Sequence, residues 1–284
     1  MSFVLRWSEQ VLNLAHRTHI MGVLNVTPDS FSDGGRYFEP HRAIEHGISM
    51  AQEGADIIDV GGESARPYSQ RISAAEEIDR VIPVIEALKN ELPIPISIDA
   101  CKGDVAVEAL KAGAAIINDI SALRYDPDMA SIAASAGVPL ILMHMKGMPE
   151  SMQVNPSYED LISEILDFLK DAIGRAVKAG VKRELLIVDP GIGFGKTFDH
   201  NLKIIRELSR FEELQRPLLL GTSNKAFIGH ILDKPANERD TGTMATIAAG
   251  VMNGAHIVRV HNVAKAVETV KIIDAIKGRR IDIG

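Results

Sequence analysis

The sequence predicts an α/β fold, a (β/α)8 barrel preceded by a short N-terminal hairpin, on three observations. One unit recurs along the chain: a helix-like segment, a small residue, a glycine, a short apolar run and then a polar residue. With three further runs of the same kind the buried strands number eight, each too short to be another helix. Amphipathic segments fill the intervals, and apolar strands alternating with helices imply a parallel sheet covered by helices and joined by right-handed crossovers. At 284 residues the chain has room for one such TIM barrel, whose usual size is about 250 residues.

The elements follow in order. Residues 1–17, with "FVLRW" and "VLNL", form the hairpin that closes one end, and 18–284 form the barrel. The whole reads as one domain because no linker-like composition divides it. The first strand is "HIMGVLN", ending at Asn25, and the second lies in "EGADIIDVG" from Glu53. Next come "IPISID" to Asp99, "AGAAIINDI" from Ala112, "AGVPLILMH" from Ala136 and "AGVKRELLIVD" from Ala179. "RPLLLG" to Gly221 and "NGAHIVRVH" from Asn253 complete the set. The glycine before each recurring strand suits the left-handed position that ends a helix. The clearest helix lies in "SYEDLISEILDFLKDAIGRAVKAG", where Leu161, Ile165, Leu169, Ile173 and Val177 recur every fourth position and Ser157 is the expected N-cap. Two connections are long and rich in Gly, Ser and Pro: "VTPDSFSDGGRYFEP" after the first strand and "GGESARPYSQRIS" after the second. Long loops in a compact domain mark lids or binding loops. An open doubly wound sheet is the alternative, but no Gly-x-Gly-x-x-Gly follows the first strand.

Composition narrows the function classes. Apolar residues make up 46% and charged residues 24%, ordinary globular values. A formal charge of −7 argues against nucleic acid, which demands a basic face. Cys101 is the single cysteine, excluding an intramolecular disulfide and any site of several thiolates. The expectation is a cytoplasmic protein, since the start of the sequence lacks a secretory pattern and no apolar run approaches the roughly 18 residues of a membrane span.

Polar residues stand at the C-terminal end of every strand: Asn25, Asp59, Asp99, Asn118 with Asp119, His144, Asp189, Lys225 just beyond Gly221, and Arg259 with His261. A barrel brings these to one mouth, where barrel enzymes place their sites. Asp99, Asn118 and Asp189 suit a flat heterocycle with several N–H donors. Arg259, His261, Asn25 and the loop residue Arg66 suit an anion. Taken singly, Asp119 reads as a cap, Asp189 equally as a turn residue and Lys225 equally as a solvated helix start. Cys101 reads as a buried or rim thiol, with no base beside it. His256 and His261 face opposite ways on one strand, so no zinc site is expected, whereas Mg²⁺ shared with a phosphate needs only one or two protein oxygens.

"DPGIGFGKT" ends like a nucleotide-binding loop, but that cradle needs a glycine where Pro190 stands. Proline lacks the N–H that would wrap a phosphate.

The blocks "MGVLNVTPDSFSDGG", "IDVGGESARP", "SIDACK", "IINDIS", "LMHMKGMPESMQ", "DPGIGFGKT", "GTSNKAFIG" and "RVHNV" follow the order found in dihydropteroate synthases, and from about Met21 to Val263 the chain resembles that family. The resemblance implies the same barrel, usually a homodimer, and a reaction joining p-aminobenzoate to 6-hydroxymethyl-7,8-dihydropterin pyrophosphate with Mg²⁺. It assigns the pterin ring to Asp99, Asn118, Met143, Asp189, Phe194, Gly221 and Lys225. Pyrophosphate falls to Asn25, Arg66, Arg259 and His261, with Asn25 also meeting Mg²⁺. The p-aminobenzoate side falls to Thr27, Phe31, Arg66, Pro67 and Ser223. Asp99, Asp189, Lys225 and Arg259 would carry the chemistry.

Four positions depart from that pattern. Ala65 stands where threonine is common, Ala100 where threonine or serine is frequent, Asn224 where arginine is usual, and Asn262 where aspartate follows the histidine. Asn224 matters most, because an amide cannot replace a bidentate guanidinium. These departures motivate a catalytically weak pterin-binding protein as one alternative. A pterin-dependent methyltransferase serving a corrinoid partner is another, which the "NVTPDSFSDGG" and "GESARP" loops oppose.

Overall fold

The computed structural model describes residues 3–27, 38–64, 69 and 71–279. Strands β1 (Val4–Trp7) and β2 (Gln10–Asn13) pair antiparallel as the expected hairpin. Eight parallel strands follow: β3 (His19–Asn25), β4 (Ile57–Gly61), β5 (Ile96–Asp99), β6 (Ile116–Asp119), β7 (Leu140–Met143), β8 (Leu186–Asp189), β9 (Leu219–Leu220) and β10 (Ile257–Val260). Strands β3 to β8 lie side by side in chain order, β10 flanks β3, and β9 flanks β10. A single parallel bridge between Val188 and Leu218 joins β8 to the start of β9 and closes the ring. The doubly wound alternative is thereby excluded.

The helices are α1 (Phe38–Gln52), α2 (Ala74–Glu91), α3 (Gly103–Ala112), α4 (Met129–Ala136), α5 (Leu161–Lys178), α6 (Phe198–Arg206), α7 (Ala226–Leu232), α8 (Asp240–Met252) and α9 (Val263–Ile276). Strands β4 to β8 are buried on almost every residue, as parallel strands with a filled interior and a helical cover must be. Gly54, Gly113, Gly137, Gly180 and Gly254, at the ends of α1, α3, α4, α5 and α8, all take positive φ. The hairpin packs beneath the ring: the Phe3 ring meets His256, just before β10, edge-on at 5.0 Å.

Helix α5 corrects two expectations. It starts at Leu161, and Asp160 is the cap, its carboxylate accepting the Ser163 N–H at 3.4 Å and the Ser163 hydroxyl at 2.7 Å. Ser157 and Tyr158 serve neighbouring turns instead: the Ser157 carbonyl accepts from Lys146 at 2.6 Å, and the Tyr158 hydroxyl donates to the Gly195 carbonyl at 2.8 Å. Val177 is 40% exposed. Each four-residue step overshoots a full turn by about 40°, so four steps rotate a stripe by about 160°. The buried face ends on Ala172, Ile173 and Ala176 instead.

Candidate active site

The C-terminal rim of the barrel is organised around one guanidinium. Arg259 on β10 donates through Nε to Asp59 Oδ2 on β4 at 2.6 Å, and through Nη2 to Asp99 Oδ2 on β5 at 2.7 Å. Asn118 on β6 donates to the same Asp59 oxygen at 3.0 Å. Asp59 is fully buried: Arg259 and Asn118 both bind its Oδ2, while Oδ1 has no hydrogen-bond partner among the described residues. Parallel register sets this up: Asp59 lies opposite Ser97 and Asp99 opposite Asn118 on adjacent strands, so period-two side chains face the interior together.

Asp189 ends β8 and accepts from the Gly191 N–H at 2.7 Å. It therefore fills the turn role and still stands at the rim. Lys225 is no solvated helix start: it precedes α7 with its ammonium 4.2 Å from the centre of the Phe194 ring. Met143 packs with Ile120, Met145 and Met152, against which Phe194 and Tyr125 also rest, forming an apolar wall beside the carboxylates. Gly221 lies next to Arg259, where an added Cβ would stand 3.8 Å from the arginine Cβ.

Electrostatics follow from burial. Asp99 is pushed up to about 7 by desolvation, with Asp59 adding to the rise and Arg259 opposing it. Burial likewise raises Asp189 to about 6, against the pull of the Gly191 N–H and of Lys225. Lys225 is lowered to about 8, first by burial and then by Arg259. Burial also works against the charge of Arg259, but Asp59 and Asp99 outweigh it and hold its pKa above the ordinary value. Buried carboxylates and a lysine shifted towards neutrality at one rim are the pattern of a functional site.

The remaining residues divide. Asn25 ends β3 opposite Gly61, half-buried at the rim, and Thr27 follows two residues on. Ser223 Oγ lies 2.8 Å from His261 Nδ1 and accepts the His261 backbone N–H at 3.2 Å, which ties the loops after β9 and β10 together. Phe31, Arg66, Pro67 and Ala65 lie outside the described residues. Asp119 turns away to cap its own loop, accepting from Ser121 N at 2.8 Å and Leu123 N at 2.6 Å. Burial pushes the Cys101 thiol up, as befits an inert side chain.

Two residues gained importance that sequence reasoning did not give them. Asp59 was one polar strand ending among several, yet it anchors Arg259, and its signal was a carboxylate inside the apolar run "IIDVG". Lys196, the lysine of "GFGKT", is 2% exposed and turned inward, its Nζ 2.9 Å from His144 Nδ1. His144 is thus withdrawn from the mouth.

Two departures have structural partners. Asn262 caps α9, accepting from Lys265 N at 3.1 Å, while its amide donates to Asp240 at 2.8 Å, a bond aspartate could not give. Asn224 sits at φ +57° with its N–H on Thr243 Oγ1 at 3.1 Å and its carbonyl accepting from Arg239 at 3.0 Å. Ala100 is buried after β5, its N–H on the Asn118 carbonyl at 3.2 Å.

The chain is similar to known proteins over almost its whole length. A family described as pterin binding enzyme matches residues 21–261. A dihydropteroate synthase of Bacillus subtilis is 47% identical over 272 residues, covering 96% of this chain and 93% of that protein. The crystal structure of the Yersinia pestis dihydropteroate synthase in a sulfonamide drug complex superposes with a TM-score of 0.92 at 42% identity, covering 97% of this chain and 100% of that one. The Xanthomonas albilineans dihydropteroate synthase, solved with 4-aminobenzoic acid, gives a TM-score of 0.92 at 39% identity over 98% and 99% of the two chains.

Proposed function

The chain belongs to the pterin-binding enzyme family, among its dihydropteroate synthases, and on that footing we propose that it joins p-aminobenzoate to 6-hydroxymethyl-7,8-dihydropterin pyrophosphate, giving 7,8-dihydropteroate and pyrophosphate. The observation that carries the site assignment is Arg259 bridging Asp59 and Asp99 beside Asp189 and Lys225. The Xanthomonas neighbour's bound 4-aminobenzoic acid supports the second substrate.

In this reading the pterin lies against Phe194 and Met143 with its ring edge on Asp99, Asn118 and Asp189. Asp99 has one oxygen engaged by Arg259 and Asp189 one by Gly191, so each keeps a second acceptor for a ring N–H. The C–O bond at the pterin methylene breaks with its electron pair leaving on pyrophosphate, and the ring nitrogens share the positive charge. Fixed carboxylates nearby stabilise that cation without reorganising. Arg259 uses two of its five N–H donors on Asp59 and Asp99, and the rest are available to the departing anion. The lone pair of the p-aminobenzoate amine then forms the C–N bond, and one N–H proton is released. No covalent enzyme intermediate is required, consistent with a rim built from binding groups. Thr27, Phe31, Arg66, Pro67 and Ser223 take the p-aminobenzoate side, and Asn25, Arg66, Arg259 and His261 the pyrophosphate.

Mg²⁺ belongs to the same reading. Among the described residues no three His, Cys, Asp or Glu side chains gather to hold an ion, whereas Asn25 offers a half-buried amide oxygen at the rim. That donor fits an ion held mainly by substrate phosphates and water, with Asn25 as the protein's ligand. When bound, the ion would neutralise charge on the departing pyrophosphate.

A cytoplasmic homodimer completes the proposal. No described helix is long and apolar enough to cross a membrane. Ile272 and Ile276, four apart on α9, are 63% and 65% exposed, and Met252 on the neighbouring α8 is 49% exposed, apolar surface that a second copy would cover.

The deciding experiment incubates purified protein with the pterin pyrophosphate, p-aminobenzoate and Mg²⁺ and assays dihydropteroate. Product formation is expected. Pterin binding without product would replace the synthase with a binding protein.

A further inference from the structure

Lys196 is enclosed like the leucines of the core, and among the described residues no carboxylate hydrogen-bonds it. Burial lowers its pKa well below the ordinary lysine value, with the charge of Asp189 pulling the other way, and a methionine would fill the same space without a buried polar nitrogen. What the lysine does make are contacts with two segments. Its Nζ lies 2.9 Å from His144 Nδ1 and donates to the carbonyls of Phe194 at 3.0 Å and His144 at 3.4 Å. His144 follows β7 and Phe194 follows β8, so one side chain ties together the turns beyond two adjacent strands.

The turn it holds is pressed hard against its neighbour. A Cβ on Gly191 would come 1.9 Å from the His144 carbonyl oxygen, and one on Gly195 would come 2.2 Å from that of Lys146. Asn201 accepts the Gly193 N–H at 2.7 Å and Gln153 donates to the Gly193 carbonyl at 2.5 Å. The far side of this turn is the wall against which Lys225 lies: its ammonium faces the Phe194 ring at 4.2 Å, and a Cβ on Gly193 would stand 3.0 Å from Lys225 Cδ. A chain of contacts therefore runs from Lys196 through the Phe194 peptide to the ring and onward to Lys225.

We infer that Lys196 is a positioning residue for pterin binding: by tying the Phe194 peptide to His144 it fixes the Phe194 ring and, through it, the Lys225 ammonium. The lysine that looks like a phosphate ligand in the sequence thus works from behind the wall. The inference rests on the pterin assignment of Phe194 and Lys225 given above.

The test is a thermodynamic cycle on the full chain, reading the dissociation constant of the pterin pyrophosphate by calorimetry without p-aminobenzoate. Lys196→Met and Phe194→Leu should each weaken binding about tenfold, and the double variant should be no more than about twofold worse than Phe194→Leu alone, because both act through one ring. The KM for p-aminobenzoate should stay within about twofold of wild type, since a general loss of structure would shift both substrates. Lys196→Gln, which retains an amide donor, should fall between wild type and Lys196→Met; it replaces the latter if that protein does not fold. Unchanged pterin affinity in the lysine variants, or single effects that multiply in the double variant, would overturn the positioning role. A wild-type protein that does not bind the pterin overturns the site assignment itself, whereas one that binds it without forming dihydropteroate overturns only the reaction.

Discussion

Arg259 Nε and Asp59 Oδ2 lie 2.6 Å apart although 200 positions separate them in the chain, and the carboxylate is fully buried. Removing the acid leaves the guanidinium held only by Asp99, and leaves Asn118 without its acceptor. Asp59→Ala is expected to destabilise the protein by roughly 3–5 kcal/mol, the usual cost of breaking a buried ion pair from one side. Urea unfolding measures it, and a loss under about 1 kcal/mol would show that the pair is no anchor.

Activity should follow a bell-shaped pH profile. Asp99 and Asp189 must be ionised to stabilise the pterin cation, and their pKa values are raised to about 7 and about 6. Lys225 must stay protonated, and its value is lowered to about 8. The acid limb of kcat/KM should therefore rise through pH 6–7 and the alkaline limb fall above pH 8. Asp99→Asn should lower the maximum and shift the acid limb towards that of Asp189. A flat profile between pH 5 and 9, measured at constant ionic strength, would count against these roles.

Stability carries the opposite signs. The folded protein binds protons to Asp99 and Asp189 more tightly than the unfolded chain does, so their contribution is greatest below the unfolded carboxylate value and is lost as pH rises through 6–7. For Lys225, whose folded value is lowered, stability instead rises as pH climbs through about 8. Denaturation midpoints at pH 5, 7 and 9 distinguish these groups, using Asp99→Asn and Lys225→Met as controls.

Asn224→Arg restores the residue usual in the family at a position whose φ is +57°. A left-handed backbone suits asparagine better than arginine, and the exchange should cost about 1 kcal/mol, seen as a fall of a few degrees in Tm. Next to Ser223, the new guanidinium should shift the KM for p-aminobenzoate and the affinity for sulfonamide mimics while turnover survives. Identical steady-state constants for both proteins would remove residue 224 from that subsite.

Asn262→Asp keeps an oxygen to cap α9 but sets a carboxylate against Asp240, where an amide now donates at 2.8 Å. The loss should be on the order of 1 kcal/mol at neutral pH and smaller once the carboxylates are protonated. Equal stability at pH 7 would mean that Lys265, 2.9 Å from Asp240, absorbs the added charge.

The barrel was legible because parallel strands with two covered faces must read as short apolar runs, and because "EGADIIDVG" and its counterparts place a helix-ending glycine before them. The convergence of Asp99, Asp189, Lys225 and Arg259 followed from that topology. The pairings did not: nothing local to "RVHN" says that Arg259 reaches Asp59, and nothing in "GKT" says that Lys196 points inward. Ser157 misled because serine and aspartate cap equally well, whereas in the structure Ser157 and Tyr158 are held in the preceding turn by Lys146 and Gly195 and the cap falls on Asp160.

The ring closes through one bridge at Val188 and Leu218, and β9 is only two residues long. This thinly laced seam opens upward between Asp189 on one lip and Gly221 to Lys225 on the other. A pterin gripped from both lips is therefore a cross-brace over the joint, and occupancy should slow amide exchange along β8 and β9 more than along the broadly paired β3 and β4.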